Sequence, residues 1–206
     1  VRSVLNQTFE SAKNTQKCYY KTMKKVLIIH GFQGSPNGGW RPWLMRELEK
    51  QDIYACALPM PNPGQPILSE WLEEISRQVD KNNQDEIYLV GHSLGVPAIL
   101  HFLESYHGKN VKGIVLVSGP IEKIKNKSIE GFLQKKFDFQ DIKAKVEKSV
   151  VIHGDNDPNV PLQHAEILSQ ELDSELVIIK NGGHLNGSSG FTELNECLQA
   201  LNKIMK

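Results

Sequence analysis

The sequence predicts a single α/β domain, a mostly parallel β-sheet with helices on both faces. Three observations predict it. Short, β-branched apolar runs recur at 26–29, 53–58, 87–90, 114–117, 150–152 and 176–179, continuous rather than alternating, as strands covered on both faces read. Amphipathic helical patterns lie between them, which is the alternation of a layered α/β fold. A length of 206 residues suits one domain, large enough to bury roughly 70% of its unfolded surface.

The elements follow in order. Positions 1–22 are polar and aperiodic, with Asn6, Gln7, Asn14 and Gln16, and are expected to form a disordered or loosely attached arm ahead of a domain at 23–206. Met23-Lys24-Lys25, directly before the first strong apolar run, is its expected start. After the strand at 26–29, Trp40, Trp43, Leu44 and Leu48 share one helical face. After 53–58 the same holds for Trp71, Leu72, Ile75 and Val79, and after 87–90 for Val96, Ile99, Leu100 and Leu103. The segment 121–147 fits least well. It is lysine-rich and carries Phe132, Phe137 and Phe139, and is expected to be a short lid or an irregular crossover. A helix over 162–172 follows the fifth strand. A last helix is expected from a Thr192 N-cap through Leu194, Leu198 and Leu201.

Composition excludes several classes of function. The 24 basic and 24 acidic residues cancel, so no electrostatic feature calls for nucleic acid or an anionic membrane. No apolar run approaches the ~20 residues of a membrane span, and residues 1–25 lack the apolar core of a secretory signal. Cys18, Cys56 and Cys197 are sparse and odd in number. They fit reduced thiols in the cytoplasm better than a disulfide framework or a zinc site.

Ligands of such a sheet meet the carboxyl ends of the strands, so the residues after each apolar run carry the chemistry. After 87–90 comes Gly91-His92-Ser93-Leu94-Gly95, a G-x-S-x-G pattern between strand and helix. A sharp turn there exposes a nucleophilic serine, Ser93, and the flanking glycines let strand and helix approach closely. Pro97 falls in the first helical turn, where a missing N–H costs little. After 26–29 comes His30-Gly31-Phe32-Gln33-Gly34-Ser35. Such a loop presents a backbone N–H to a developing oxyanion, and the residue after the nucleophile supplies the second donor. The expected donors are therefore Phe32 and Leu94, each worth about 10²–10³ in rate. His30 is expected to hold its loop rather than to react.

After 150–152 comes His153-Gly154-Asp155-Asn156-Asp157-Pro158. Two aspartates compete to orient a catalytic imidazole. Asp157 is the favoured one, with Asp155 stabilising the turn. The spacing does not match a calcium loop, and no metal is expected. After 176–179 comes Gly182-Gly183-His184, which completes the chain order Ser93, Asp157, His184 expected of this triad on this type of fold. His92, His101, His107, His153 and His164 lack such placement and are expected to be local or surface residues.

Together these residues resemble the α/β-hydrolase superfamily, and within it the small serine hydrolases of the retinoblastoma-binding protein nine and YdeN-like family. The match runs from Met23 to Lys206. It includes His30-Gly31, Ser35-Pro36, the Trp40 and Trp43 pair and the loop 59–66 leading to Trp71. It also includes Phe137-Asp138-Phe139, Gly154-Asp155-Asn156-Asp157-Pro158 and Gly182-Gly183-His184. The resemblance implies a minimal sheet of about six parallel strands and a small or absent lid. The Leu-x-Cys-x-Glu motif of the mammalian relative is missing, so its protein-binding role does not carry over.

The expected chemistry is acyl transfer through Ser93, with His184 as general base and Asp157 holding its tautomer. No metal or organic cofactor is required. Phe32, Trp40, the loop 59–66 and the stretch 132–139 are expected to wall the substrate site. A small lid favours small esters, and a carboxylesterase is the leading expectation. An amidase or aminopeptidase-like activity on the same triad is one alternative. A non-enzymatic, partner-binding hydrolase fold is the other, and the intact triad argues against it. Dehalogenase or epoxide hydrolase chemistry requires an aspartate in place of Ser93.

Overall fold

A computed structural model describes residues 22–82 and 84–206. The expected loose arm at 1–22 therefore lies, apart from Thr22, outside the described residues, as does Cys18. Six parallel strands form one sheet in the order β2-β1-β3-β4-β5-β6. They are β1 (Lys24–Ile29), β2 (Tyr54–Ala57), β3 (Glu86–His92), β4 (Val111–Val117), β5 (Lys148–Gly154) and β6 (Glu175–Ile179). The helices are α1 (Arg41–Glu49), α2 (Leu68–Lys81), α3 (Gly95–Ser105), α4 (Phe139–Ala144), α5 (Leu162–Glu171) and α6 (Asn195–Ile204). Among the described residues, no helix is long and apolar enough to cross a membrane.

The period-2 geometry of strands splits the core in two. Leu27, Ile29, Ile87 and Leu89 face one side of the sheet, where they pack with Trp71 and Ile75 of α2, Ile99 and Leu103 of α3, Ile142 of α4 and Leu168 of α5. Val26, Ile28, Tyr88 and Val90 face the other, against Leu44 and Leu48 of α1 and Cys197, Leu201 and Ile204 of α6. Both faces are thus apolar, which is why the strand runs read as continuous.

One boundary differs from expectation. The last helix begins at Asn195 with Leu194 in the cap position and no side-chain cap, so Thr192 does not cap it. The segment 121–147 is, as one of its two expected forms, a largely irregular crossover, here between β4 and β5. It contains a 3-10 turn at Lys127–Phe132 and the short α4, and His101 of α3 anchors it by donating Nε2–H to Phe132 O at 2.9 Å.

From β1 in the sheet interior the path steps outward to β2, then crosses back to β3 on the other side of β1. The carboxyl ends of β1 and β3 therefore form a topological switch point, where ligands of open α/β sheets bind.

Candidate active site

The turn at Ser93 is strained. Its φ is +53°, a left-handed conformation that costs a non-glycine residue of order 1–3 kcal/mol. Hydrogen bonds on both sides hold it: Ser93 N–H donates to Val117 O at 2.8 Å, and Ser93 O accepts from Val96 N at 3.0 Å. Two close approaches demand glycine. A Cβ on Gly95 would overlap the carbonyl oxygen of Ile29, and one on Gly31 would lie 2.8 Å from Ser93 Cβ and 3.2 Å from Ser93 Oγ. The loop after β1 is thus pressed against the serine. Within that loop, Gln33 N–H donates to Pro63 O at 2.8 Å, which ties it to the 59–66 segment. His30 donates Nδ1–H to Gly31 O at 2.9 Å and stacks edge-on against Trp71. Its expected role as loop support is borne out.

Of the expected oxyanion donors, Leu94 directly follows Ser93 and Phe32 lines the same cleft. Gln33, Gly34, Ser93 and Val96 all donate their N–H groups within these turns, whereas those of Phe32 and Leu94 have no acceptor among the described residues.

Across the cleft, His184 donates Nδ1–H to Asp157 Oδ2 at 2.7 Å. The Asp157 side chain is fully buried and that of His184 nearly so. The other carboxylate oxygen, Oδ1, accepts N–H from Asn159 at 2.8 Å and from Val160 at 3.1 Å. Burial works to raise the Asp157 pKa. The hydrogen bonds from His184, Asn159 and Val160 outweigh it and hold the carboxyl below its ordinary value. Asp155 does different work: its Oδ1 accepts Asn181 N–H at 2.7 Å and braces the turn that precedes His184. The neighbouring Asn156 accepts Gly183 N–H at 2.7 Å.

Ser93 and His184 line the same cleft of about 300 Å³, together with Phe32, Ile129, Pro158 and Val160. Its remaining wall comes from Ile124, Lys125 and Asn126, at the start of the crossover, and from Asn159 and Asn186. The expected walls are corrected here. Trp40 is fully buried and lies in the core beneath the sheet ends. Its indole Nε1–H donates to Leu185 O at 2.8 Å, so it supports the His184 loop and does not line the cleft. Phe132 packs edge-on against Trp71, and neither the 132–139 stretch nor the 59–66 loop lines the cleft.

The secondary histidines are corrected too. His92, His101, His153 and His164 are buried, and of the five only His107 lies at the surface. His92 donates Nε2–H to His184 O at 3.0 Å, and its ring meets that of His184 at 5.1 Å. Burial, reinforced by the neighbouring His184, pushes its pKa down to about 3. His153 donates Nε2–H to Val160 O at 2.9 Å and lies 3.7 Å from Asp157 Oδ2. A histidine inside an otherwise apolar strand end was the available signal for His92. Nothing in the sequence marked Ile124–Asn126 as a wall.

Residues 26–203 match the protein family described as Serine hydrolase. The chain belongs to that family. It is 39% identical to YdeN of Bacillus subtilis over 173 residues, covering 83% of this chain and 90% of that protein. The crystal structure of the same B. subtilis product superposes with a TM-score of 0.84 at 36% identity, covering 89% of this chain and 99% of that one. The serine hydrolase RBBP9 of Rattus norvegicus is 23% identical over 186 residues, with coverages of 88% and 95%. Est1E from Butyrivibrio proteoclasticus, at 17% identity and a TM-score of 0.69, covers 91% and 88% of the two chains and shares the fold. These matches agree with the family and the α/β-hydrolase fold expected from the motifs.

Proposed function

We propose that this protein is a serine hydrolase that cleaves small carboxylic esters through an acyl-enzyme on Ser93. The observation that carries the reading is the 2.7 Å hydrogen bond from His184 Nδ1–H to buried Asp157 Oδ2, in the cleft that Ser93 also lines. A donor at Nδ1 leaves the neutral imidazole with its lone pair at Nε2, the nitrogen a base needs.

His184 takes the proton from Ser93 Oγ as that oxygen attacks the acyl carbonyl. The electron pair of the C=O bond moves onto oxygen, where the N–H groups of Phe32 and Leu94 stabilise the charge. Asp157 stabilises the imidazolium that forms. His184 then gives its proton to the departing alcohol. In the second half it deprotonates water, which attacks the acyl carbonyl, and it returns that proton to Ser93 Oγ as the acyl–Ser93 bond breaks. The strained Ser93 turn keeps the hydroxyl at the surface of the cleft throughout. The open, small cleft suits a compact acyl group.

The test is labelling of the purified protein with a fluorophosphonate probe, alongside Ser93→Ala. Labelling of the wild type that disappears in the variant is the expected result. A folded wild-type protein that takes up no label would overturn the reading. A panel of activated esters and amino-acid arylamides then separates ester from amide preference.

A further inference from the structure

The cleft that Ser93 lines is rich in hydrogen-bond donors and poor in anions. Lys125 lines it and, among the described residues, forms no salt bridge, whereas Lys123 beside it is taken by Glu130 at 2.7 Å. Asn126 and Asn186 also line it, and both amides have committed their oxygens elsewhere. Asn126 Oδ1 accepts Ser128 N–H at 3.0 Å. Asn186 Oδ1 accepts Ser189 N–H at 2.9 Å and Ser188 Oγ–H at 2.7 Å. Those bonds fix which way each amide is turned, leaving the NH₂ end of each without a partner among the described residues. An NH₂ group only donates, and an ammonium only donates. No aspartate or glutamate lines the cleft; Asp157 is buried beneath His184 and occupied by it.

We infer that the preferred substrate is an ester bearing a second, anionic oxygen-rich group, a carboxylate, held by Lys125 with the amides of Asn126 and Asn186. This deepens the serine hydrolase reading and rests on it. A carboxylate accepts from several donors at once, and hydrogen bonds to an ionised group are about twice as strong as neutral ones. A wholly apolar acyl chain would leave this wall's donors unpaired, which a binding site resists. Ile124 and Ile129 line the same cleft, and their apolar surfaces suit a short methylene spacer. Of the lysines on this crossover, Lys123 and Lys135 are taken by Glu130 and Glu104, and only Lys125 lines the cleft.

The experiment compares the 4-methylumbelliferyl monoester of adipate with the analogue whose free carboxylate is replaced by a carboxamide, equal in length but uncharged. The expected result is about a tenfold higher kcat/KM for the free carboxylate, expressed mainly in KM. That ratio falls towards one in Lys125→Ala, inverts in Lys125→Glu and shrinks as salt is raised. Lys136→Glu carries the same charge change on the same segment, away from the cleft, and is expected to leave the ratio alone. Equal rates on the two esters, or a ratio indifferent to Lys125→Glu, would overturn the inference. So would turnover of neither ester by a protein whose Ser93 still takes fluorophosphonate. If Ser93 takes no label either, the hydrolase reading itself falls.

Discussion

His92 donates its Nε2–H to the backbone carbonyl oxygen of His184 at 3.0 Å, which ties the residue before the serine to the residue that would activate it. Trp40 grips the next carbonyl, Leu185 O, at 2.8 Å, and its ring meets His92 edge-on at 5.9 Å. Leu185 itself sits at φ +48°. Two buried side chains thus hold consecutive carbonyls of a tight turn.

His92→Phe keeps a flat ring in that space and removes the donor. It should cost about 1–3 kcal/mol, the penalty for an orphaned buried acceptor, and slow fluorophosphonate labelling of Ser93 about tenfold as the imidazole loses its register. His92→Gln, which restores an N–H, should recover part of the labelling rate. Urea melts and labelling time courses on both variants check this. A lower stability with wild-type labelling would mean that His92 only packs.

Acid should weaken the fold earlier than its carboxylates alone would dictate. His30, His92, His153 and His164 are all held below the ordinary histidine pKa, burial being the first cause in each. They stay neutral when folded and protonate near pH 6.5 when unfolded. Between that pH and their folded values the unfolded chain binds more protons, so stability falls as pH falls. Each group contributes up to about 1.4 kcal/mol per pH unit. For His92 the window runs from about pH 6.5 down to about 3. Denaturation midpoints measured between pH 7 and 5 should drop steeply, and His92→Phe should flatten the slope by about one proton. An unchanged slope in that variant counts against a neutral, buried His92.

Much of this was legible in the sequence because one physical rule governed it. All six β-branched runs became strands, since a sheet covered on both faces leaves a continuous apolar signature. The candidate site residues stood at strand ends, where turn chemistry is local: Gly91 and Gly95 announce the elbow, and Gly182-Gly183 the loop that carries His184. Trp40 was misread because helical spacing gives its face but not its depth. Whether an indole lines a pocket or lies under it depends on how far α1 sits below the loop of residues 182–186. Lys125 and Asn126 were missed because their position depends on how a crossover without periodicity is pinned, here by His101 to Phe132 O and by His164 Nδ1 accepting Ile121 N–H at 3.1 Å.

Gly95→Ala should be among the most damaging single-methyl changes in the chain. The added Cβ would overlap Ile29 O and lie 3.1 Å from His30 O. Both are backbone atoms of β1 and its loop, and they cannot rotate away. The cost should reach or exceed about 3 kcal/mol, the upper end for overpacking a core. A thermal melt reads it directly. Gly131→Ala, where the new methyl meets nothing, is the control and should stay within about 0.5 kcal/mol of wild type. Similar melts for the two variants would argue against so close an approach of α3 to β1.

Asp157→Asn tests the proposed mechanism at one proton. The asparagine oxygen can keep accepting N–H from Asn159 and Val160, so the turn and the fold should survive. Its NH₂ then faces His184 Nδ1, which must become an acceptor, and the imidazole proton moves to Nε2. In that tautomer His184 presents N–H to Ser93 and cannot take its proton. kcat should fall by about 10⁴, with little change in the melting curve. Asp155→Asn alters the other aspartate of the same loop, which touches Asn181 N–H and not His184. It should lower kcat severalfold at most. The two aspartates compete only on paper: if Asp155→Asn proved the more damaging, the proton path through His184 Nδ1 and Asp157 would have to be abandoned.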